Sequence, residues 1–113
     1  MQDWNAYRAS LMELVDDYAQ ENPDVMQGLM TINNAAAKTG HLEPKMHGLI
    51  ALAVAATTRC DGCISVHVKK AVEHGATREE IAEALGVAIA LNAGAALVYS
   101  ARVLEAVGQL PEA

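Results

Sequence analysis

The chain of 113 residues contains no phenylalanine, one tryptophan and three tyrosines, so aromatic side chains supply only 4% of it. A core built from it must rely on aliphatic and small side chains, and small side chains let helix axes approach closely. Charge is also scarce, at 19% against the ~25% usual in soluble domains. Lysine and arginine number eight against fourteen acids, a net charge of −6. No basic stripe exists, which argues against nucleic-acid binding. The first 24 residues hold six of the acids and one base, Arg8, and read as a solvated helix face.

Other features are missing too. Asp3, Trp4, Asn5 and Arg8 stand where a secretory signal would need a basic and then an apolar run. The longest uncharged apolar stretch, Leu85 to Tyr99, is interrupted by Asn92 and shorter than a membrane span. A cytoplasmic protein with no membrane partner is expected. At 52% hydrophobic residues and a mean hydropathy of +0.13, disorder is excluded. Area scaling gives ~17,000 Å² for the unfolded chain and ~6,000 Å² for the folded monomer. One domain over 1–113 is expected, with N-terminal helices over 1–40 and a core over 43–110. Low charge with high hydrophobicity points to apolar surface buried between subunits.

Every apolar pattern present has the helical period. Trp4, Tyr7, Leu11, Leu14, Val15 and Tyr18 form one face. That helix stops near Asn22-Pro23. A second runs from Asp24 to Lys38 and ends at Thr39-Gly40. Pro44 opens a third that reaches Thr58 and is apolar nearly all round, so it should be central. A break at Arg59–Gly62, with Asp61 as N-cap, leads into a fourth over Gly62–His74 that closes at Gly75. Thr77-Arg-Glu-Glu80 is a capping box and opens the fifth. Asn92-Ala-Gly94 predicts a break and a sixth helix over 95–107. The fold class is all-α, a compact bundle of five to seven helices. Alanine, 22 of 113 residues, clusters in the third, fifth and sixth helices, as good helix propensity and close helix contacts between subunits both favour.

The chemistry is concentrated in Cys60-Asp-Gly-Cys63-Ile-Ser-Val-His67, which holds both cysteines of the chain. In a reducing compartment such a pair is redox-active or metal-binding more often than structural. Cys63 falls in the first turn of the fourth helix, where free N–H groups and the helix dipole favour a thiolate. His67 lies four residues on, over the same face, and Arg59 adds positive charge. A lowered thiol pKa beside a proton-exchanging imidazole suits thiol–disulfide or peroxide chemistry, and Cys60 can reach Cys63 to close a disulfide. Three blander readings compete. The cysteines could be buried as small apolar residues, and His67 could be a surface residue. The third is a zinc site on Cys60, Cys63 and His67 with His47 or His74, although no second pair of ligands stands on another element.

Thr58-Arg-Cys-Asp-Gly-Cys-Ile-Ser-Val-His67, His74-Gly-Ala-Thr-Arg-Glu-Glu-Ile-Ala-Glu-Ala-Leu85 and Asn92-Ala-Gly-Ala-Ala-Leu-Val-Tyr99 resemble the carboxymuconolactone decarboxylase/AhpD-like superfamily over Pro44 to Leu110. The resemblance implies an all-helical fold in homo-oligomers, trimers or hexamers. Its cysteine-bearing branch is similar to alkylhydroperoxidase, which needs no cofactor and binds no metal. Carried over, Cys63 is the peroxide-attacking thiol, Cys60 the resolving thiol and His67 a proton-relay residue. The implied partners are a small hydroperoxide or disulfide substrate and an external dithiol or protein electron donor. One residue departs from the family pattern. The relay glutamate twelve residues before the first cysteine is here Gly48, with His47 beside it but about 100° round the helix. His47 could serve if the helix is rotated or a second subunit contributes, and Gly48 could leave room for a substrate or a neighbouring helix. The missing carboxylate favours one alternative to a peroxidase, a non-catalytic redox-sensing oligomer; the other alternative is a decarboxylase-type acid–base enzyme, a branch that lacks this cysteine pair.

Overall fold

A computed structural model describes residues 1–112. It contains five helices and, among the described residues, no strand: α1 (Trp4–Glu21), α2 (Pro23–Thr39), α3 (Pro44–Thr58), α4 (Asp61–Glu73) and α5 (Arg78–Gly108). The punctuation residues act as their chemistry dictates. Pro23 and Pro44 occupy first turns, where no intrahelical N–H is needed. Gly40 and Gly75 take φ of 74° and 90°, a region closed to most side chains, and so end α2 and α4. At Thr77 the capping box is complete: its hydroxyl accepts from the Glu80 N–H at 3.1 Å and the Glu80 carboxylate accepts from the Thr77 N–H at 2.9 Å.

Two local expectations fail. Asp61 does not cap α4. The cap is Cys60, whose sulfur accepts from the Cys63 N–H at 3.1 Å, and the break shrinks to Arg59–Cys60. Arg59 turns the chain there with φ 55° and ψ 49°, a left-handed geometry unusual for a non-glycine residue. Nor does Asn92-Ala-Gly94 break the chain. The Asn92 amide donates to the Ala88 carbonyl at 2.8 Å and to the Thr57 hydroxyl at 2.9 Å, which ties α5 to α3 and keeps the helix continuous. A mid-helix glycine costs only about 1 kcal/mol, which the surrounding helix formers carry. α5 therefore runs 31 residues, long and apolar enough by length and composition to cross a membrane. Asn92, one of the two grounds for excluding a span, thus does not interrupt the helix, while one such helix is by itself weak evidence for a span.

α3 is central, as its all-round apolar character requires. It packs against both α4 and α5, with Gly48, Leu49, Leu52 and Ala55 buried. Leu49, Leu52, Ala71 and Ala76 make the core, with Ile81 and Ala84 against them. Lys45 and Glu80 pair at 2.9 Å across the starts of α3 and α5. The close approach of α3 to α4 depends on Gly48. A Cβ there would lie 2.9 Å from the Ala71 Cβ and 3.1 Å from its Cα. Gly48→Ala is expected to cost about 1–3 kcal/mol by overpacking. Ala71→Gly in the same chain should recover most of the packing, and denaturant melts of the two single variants and the double variant measure the coupling. Additive losses would rule the contact out.

The core is small for the chain. The radius of gyration is 18.9 Å, where a compact domain of this length has about 13 Å. The exposed surface is 8884 Å², roughly 3,000 Å² above the scaling value for a folded monomer. No residue of α2 is buried, and the large apolar side chains of α5 from Val87 onward are solvent-exposed in the single chain.

Candidate functional site

The cysteine pair sits at the junction that the α3–α4 turn builds. Cys60 and Cys63 are joined as a disulfide with Cα atoms 5.2 Å apart. Cys60 is half-buried at the cap position, and Cys63, in the first turn of α4, is exposed. Both stand where the orphan N–H groups of the helix favour negative charge on sulfur.

α1 lies over this turn. A Cβ at Gly62 would come within 3.0 Å of the Leu11 Cδ2 and 3.9 Å of the Tyr7 hydroxyl. Glycine between the cysteines thus lets α1 settle onto the first turn. Arg8 Nε donates to the Ser65 carbonyl at 2.6 Å, and Arg8 is steadied by Asn5 at 2.9 Å. Ser65 is fully buried, and its hydroxyl donates to the Gly62 carbonyl at 2.9 Å. The acids of α1 stay in water while Tyr7, Arg8 and Leu11 face α4. The sequence reading assigned Arg8 no role. Its acceptor lies 57 residues away, and no local pattern announces such a contact.

His67, one turn beyond Cys63, is half-buried and borders a cavity of about 650 Å³ between the end of α2, the start of α3 and the outer face of α4. His41, His47, His67 and His74, all the histidines of the chain, border it together with Glu43 and Lys70. His47 thus faces the same cavity as His67 within one chain, despite its offset from Gly48. Neither cysteine borders it. Gly48 borders it too but is occupied by the helix contact with Ala71, so a carboxylate at that position has no room in this packing. Among the described residues, no three His, Cys, Asp or Glu side chains are placed to hold a metal ion.

Burial pushes the His67 imidazole below the ordinary histidine value, and the Lys70 ammonium nearby pushes it the same way. Its neutral form is therefore favoured by the fold. This contribution to stability is complete above the unfolded-state value of about 6.5 and is lost as pH falls from there through the depressed pKa. NMR titration should place His67 below an unperturbed histidine, and Lys70→Ala should move it upward. An unmoved pKa in that variant would deny the pairing with Lys70.

Comparisons with known proteins agree with this architecture. The carboxymuconolactone decarboxylase family profile matches residues 23–106, beginning earlier than Pro44 and taking in α2. An uncharacterised protein of Haemophilus influenzae is 45% identical over 104 residues, 92% of each chain. An uncharacterised protein from the cox locus of Paracoccus denitrificans is 37% identical over 81 residues, 72% of this chain and 73% of its own. Among solved structures, a carboxymuconolactone decarboxylase family protein from Legionella pneumophila superposes with a TM-score of 0.74. It has 36% identity, with 91% of this chain and 92% of that one covered. A protein from Methanobacterium thermoautotrophicum gives 0.70 at 31% identity, covering 76% and 97%.

Proposed function

Because this chain belongs to the carboxymuconolactone decarboxylase family, we propose that it is a cofactor-free thiol oxidoreductase of the alkylhydroperoxidase kind, acting in the cytoplasm as a homo-oligomer. The observation that carries this reading is the Cys60–Cys63 disulfide at the mouth of α4, with the exposed sulfur, Cys63, one turn from a half-buried imidazole.

In the reduced protein, the Cys63 thiolate attacks the terminal oxygen of a hydroperoxide. The O–O bond breaks, and the alcohol leaves with a proton relayed by His67. Cys63 is now a sulfenic acid. The Cys60 thiol displaces its hydroxyl as water and closes the disulfide. An external dithiol, small or protein-borne, attacks the disulfide and restores both thiols by exchange. A small disulfide substrate enters the same cycle by direct exchange. The half-buried position of Cys60 supports its assignment as the resolving thiol. His47 is assigned a supporting proton-exchange role across the cavity it shares with His67.

The test is steady-state turnover. With excess hydroperoxide and a dithiol donor, each protomer should consume many equivalents. A specific observation favours a second reading: Gly48 is packed against Ala71, where the family pattern has a relay carboxylate. A redox-sensing oligomer would oxidise once, consume one equivalent and stop.

A further inference from the structure

α1 stands apart from the rest of the chain. The family profile begins at residue 23, so this helix lies ahead of it. It packs on α4 and on α2, which follows it. The hydrogen bonds from this amino-terminal part to α4 end at Asp61 and Ser65. The Gln2 amide lies 3.4 Å from the Asp61 carboxylate, and Arg8 donates to the Ser65 carbonyl at 2.6 Å. The Ser65 hydroxyl leads back to the Gly62 carbonyl, and Tyr7 and Leu11 rest on Gly62 itself. Asp61 and Gly62 are the two residues between the cysteines. α3 fixes the other end of the same turn, with the Cys60 N–H on the Ala55 carbonyl at 3.1 Å and Arg59 held at φ 55°. Opening the disulfide lets two bonded sulfurs part to non-bonded contact, and the turn must take up the change. Cys60 is held by α3, so Asp61 and Gly62 carry the adjustment beneath α1. Leu11 has no slack there. A carbon added to Gly62 would lie 3.0 Å from its Cδ2, so a small shift of the turn is felt by the helix. The fit of α1 is therefore a fit to the turn in its disulfide form.

We propose that α1 is a redox-coupled clamp: it holds the oxidised turn more tightly than the reduced one, and Arg8 and Leu11, as positioning residues, thereby set how readily the Cys60–Cys63 bond is reduced. The clamp rests on Cys60 and Cys63 being a reversible couple, and not on peroxide turnover. Reduction breaks the S–S bond. Two electrons and two protons from an external dithiol leave two thiols here and one disulfide in the donor. The coupling is reciprocal: whatever α1 contributes to the oxidised state, oxidation contributes to the docking of α1. Closing the bond thus tightens the amino-terminal helix, and opening it loosens that helix.

The test equilibrates the full-length protein with graded ratios of reduced to oxidised glutathione or dithiothreitol, and counts free thiols by maleimide labelling and mass spectrometry. Leu11→Ala should favour the dithiol about tenfold, a coupling of ordinary size, which raises the reduction potential by about 30 mV. Arg8→Ala should move it in the same direction. That direction is diagnostic. A guanidinium acting only through its charge favours a thiolate, so its loss would instead favour the disulfide. Leu14→Ala, on the same helix at an exposed position, should leave the potential unchanged. In the unsubstituted protein, hydrogen exchange of the α1 amides should be about tenfold faster after reduction, a measurement that stands even where a variant does not fold. Wild-type potentials in Leu11→Ala and Arg8→Ala, an equal shift in Leu14→Ala, or α1 exchange indifferent to redox state would overturn the clamp and leave the thiol reading in place. A cysteine pair that does not cycle between dithiol and disulfide would remove both.

Discussion

Cys63→Ser is expected to end hydroperoxide consumption, with turnover lower by on the order of a thousandfold or more, as when other nucleophiles are removed. The serine hydroxyl occupies nearly the same volume at an exposed position, so the fold should be indifferent to it. Chemistry is what changes, because an alcohol does not ionise at neutral pH and does not attack peroxide oxygen as a thiolate does. Cys60→Ser is the informative companion. Cys60 caps α4 through its sulfur, and serine is among the best N-cap residues, so the helix start is kept. The first step should still proceed and leave a sulfenic acid on Cys63, which dimedone labelling with mass spectrometry detects. Label on Cys60 in the reciprocal variant, with turnover retained, would reverse the two roles. Full activity in Cys63→Ser would remove the thiol mechanism altogether.

Leu97→Glu should convert a multi-subunit particle to a chain of 11.9 kDa in sedimentation velocity at micromolar concentration. Leu97 is 75% exposed in the single chain, so the substitution should alter the stability of an isolated protomer by no more than about 0.5 kcal/mol. Its effect on assembly is another matter. The surface excess of roughly 3,000 Å² matches what obligate assemblies hide, and the exposed apolar run of α5 from Val87 through Val107 supplies much of it. A carboxylate placed unpaired in such a contact costs several kcal/mol per copy, enough to dissociate it. A lipid bilayer is the rival occupant for a helix of this length. Against it stand the packing of the amino-terminal turns of α5 on α3 and the acids Glu79, Glu80 and Glu83 there. A wild-type chain that is monomeric, or that sediments with vesicles, would refute assembly through this face.

Much of the backbone was legible because helix ends are written locally. Pro23, Gly40, Pro44, Gly75 and the Thr77–Glu80 box each act within four residues of themselves, and each marks an observed boundary. Asn92-Ala-Gly94 misled because its meaning is tertiary. The same asparagine that would favour a turn in isolation finds acceptors at Ala88 and Thr57, and the second of these belongs to another helix. Asp61 misled for a simpler reason: sulfur is a poor acceptor, and its use as a cap at Cys60 follows from the position of the Arg59 turn. That Cys63 and His67 stand one turn apart on α4 follows from their spacing alone. The shared cavity of the four histidines does not, since it depends on how α2, α3 and α4 are angled. The grip of Arg8 on Ser65 depends likewise on where α1 comes to rest.

The contact between Gly48 and Ala71 sets an order on how this chain can change over generations. A glutamate at position 48 is excluded while Ala71 stands where it does, because even the first carbon of its side chain lacks space. Room must be made on α4 first, and shrinking Ala71 to glycine carries its own helix penalty of about 1 kcal/mol with no immediate gain. A carboxylate can enter there only by way of a weaker intermediate. Such a valley holds position 48 at glycine for as long as Ala71 is kept.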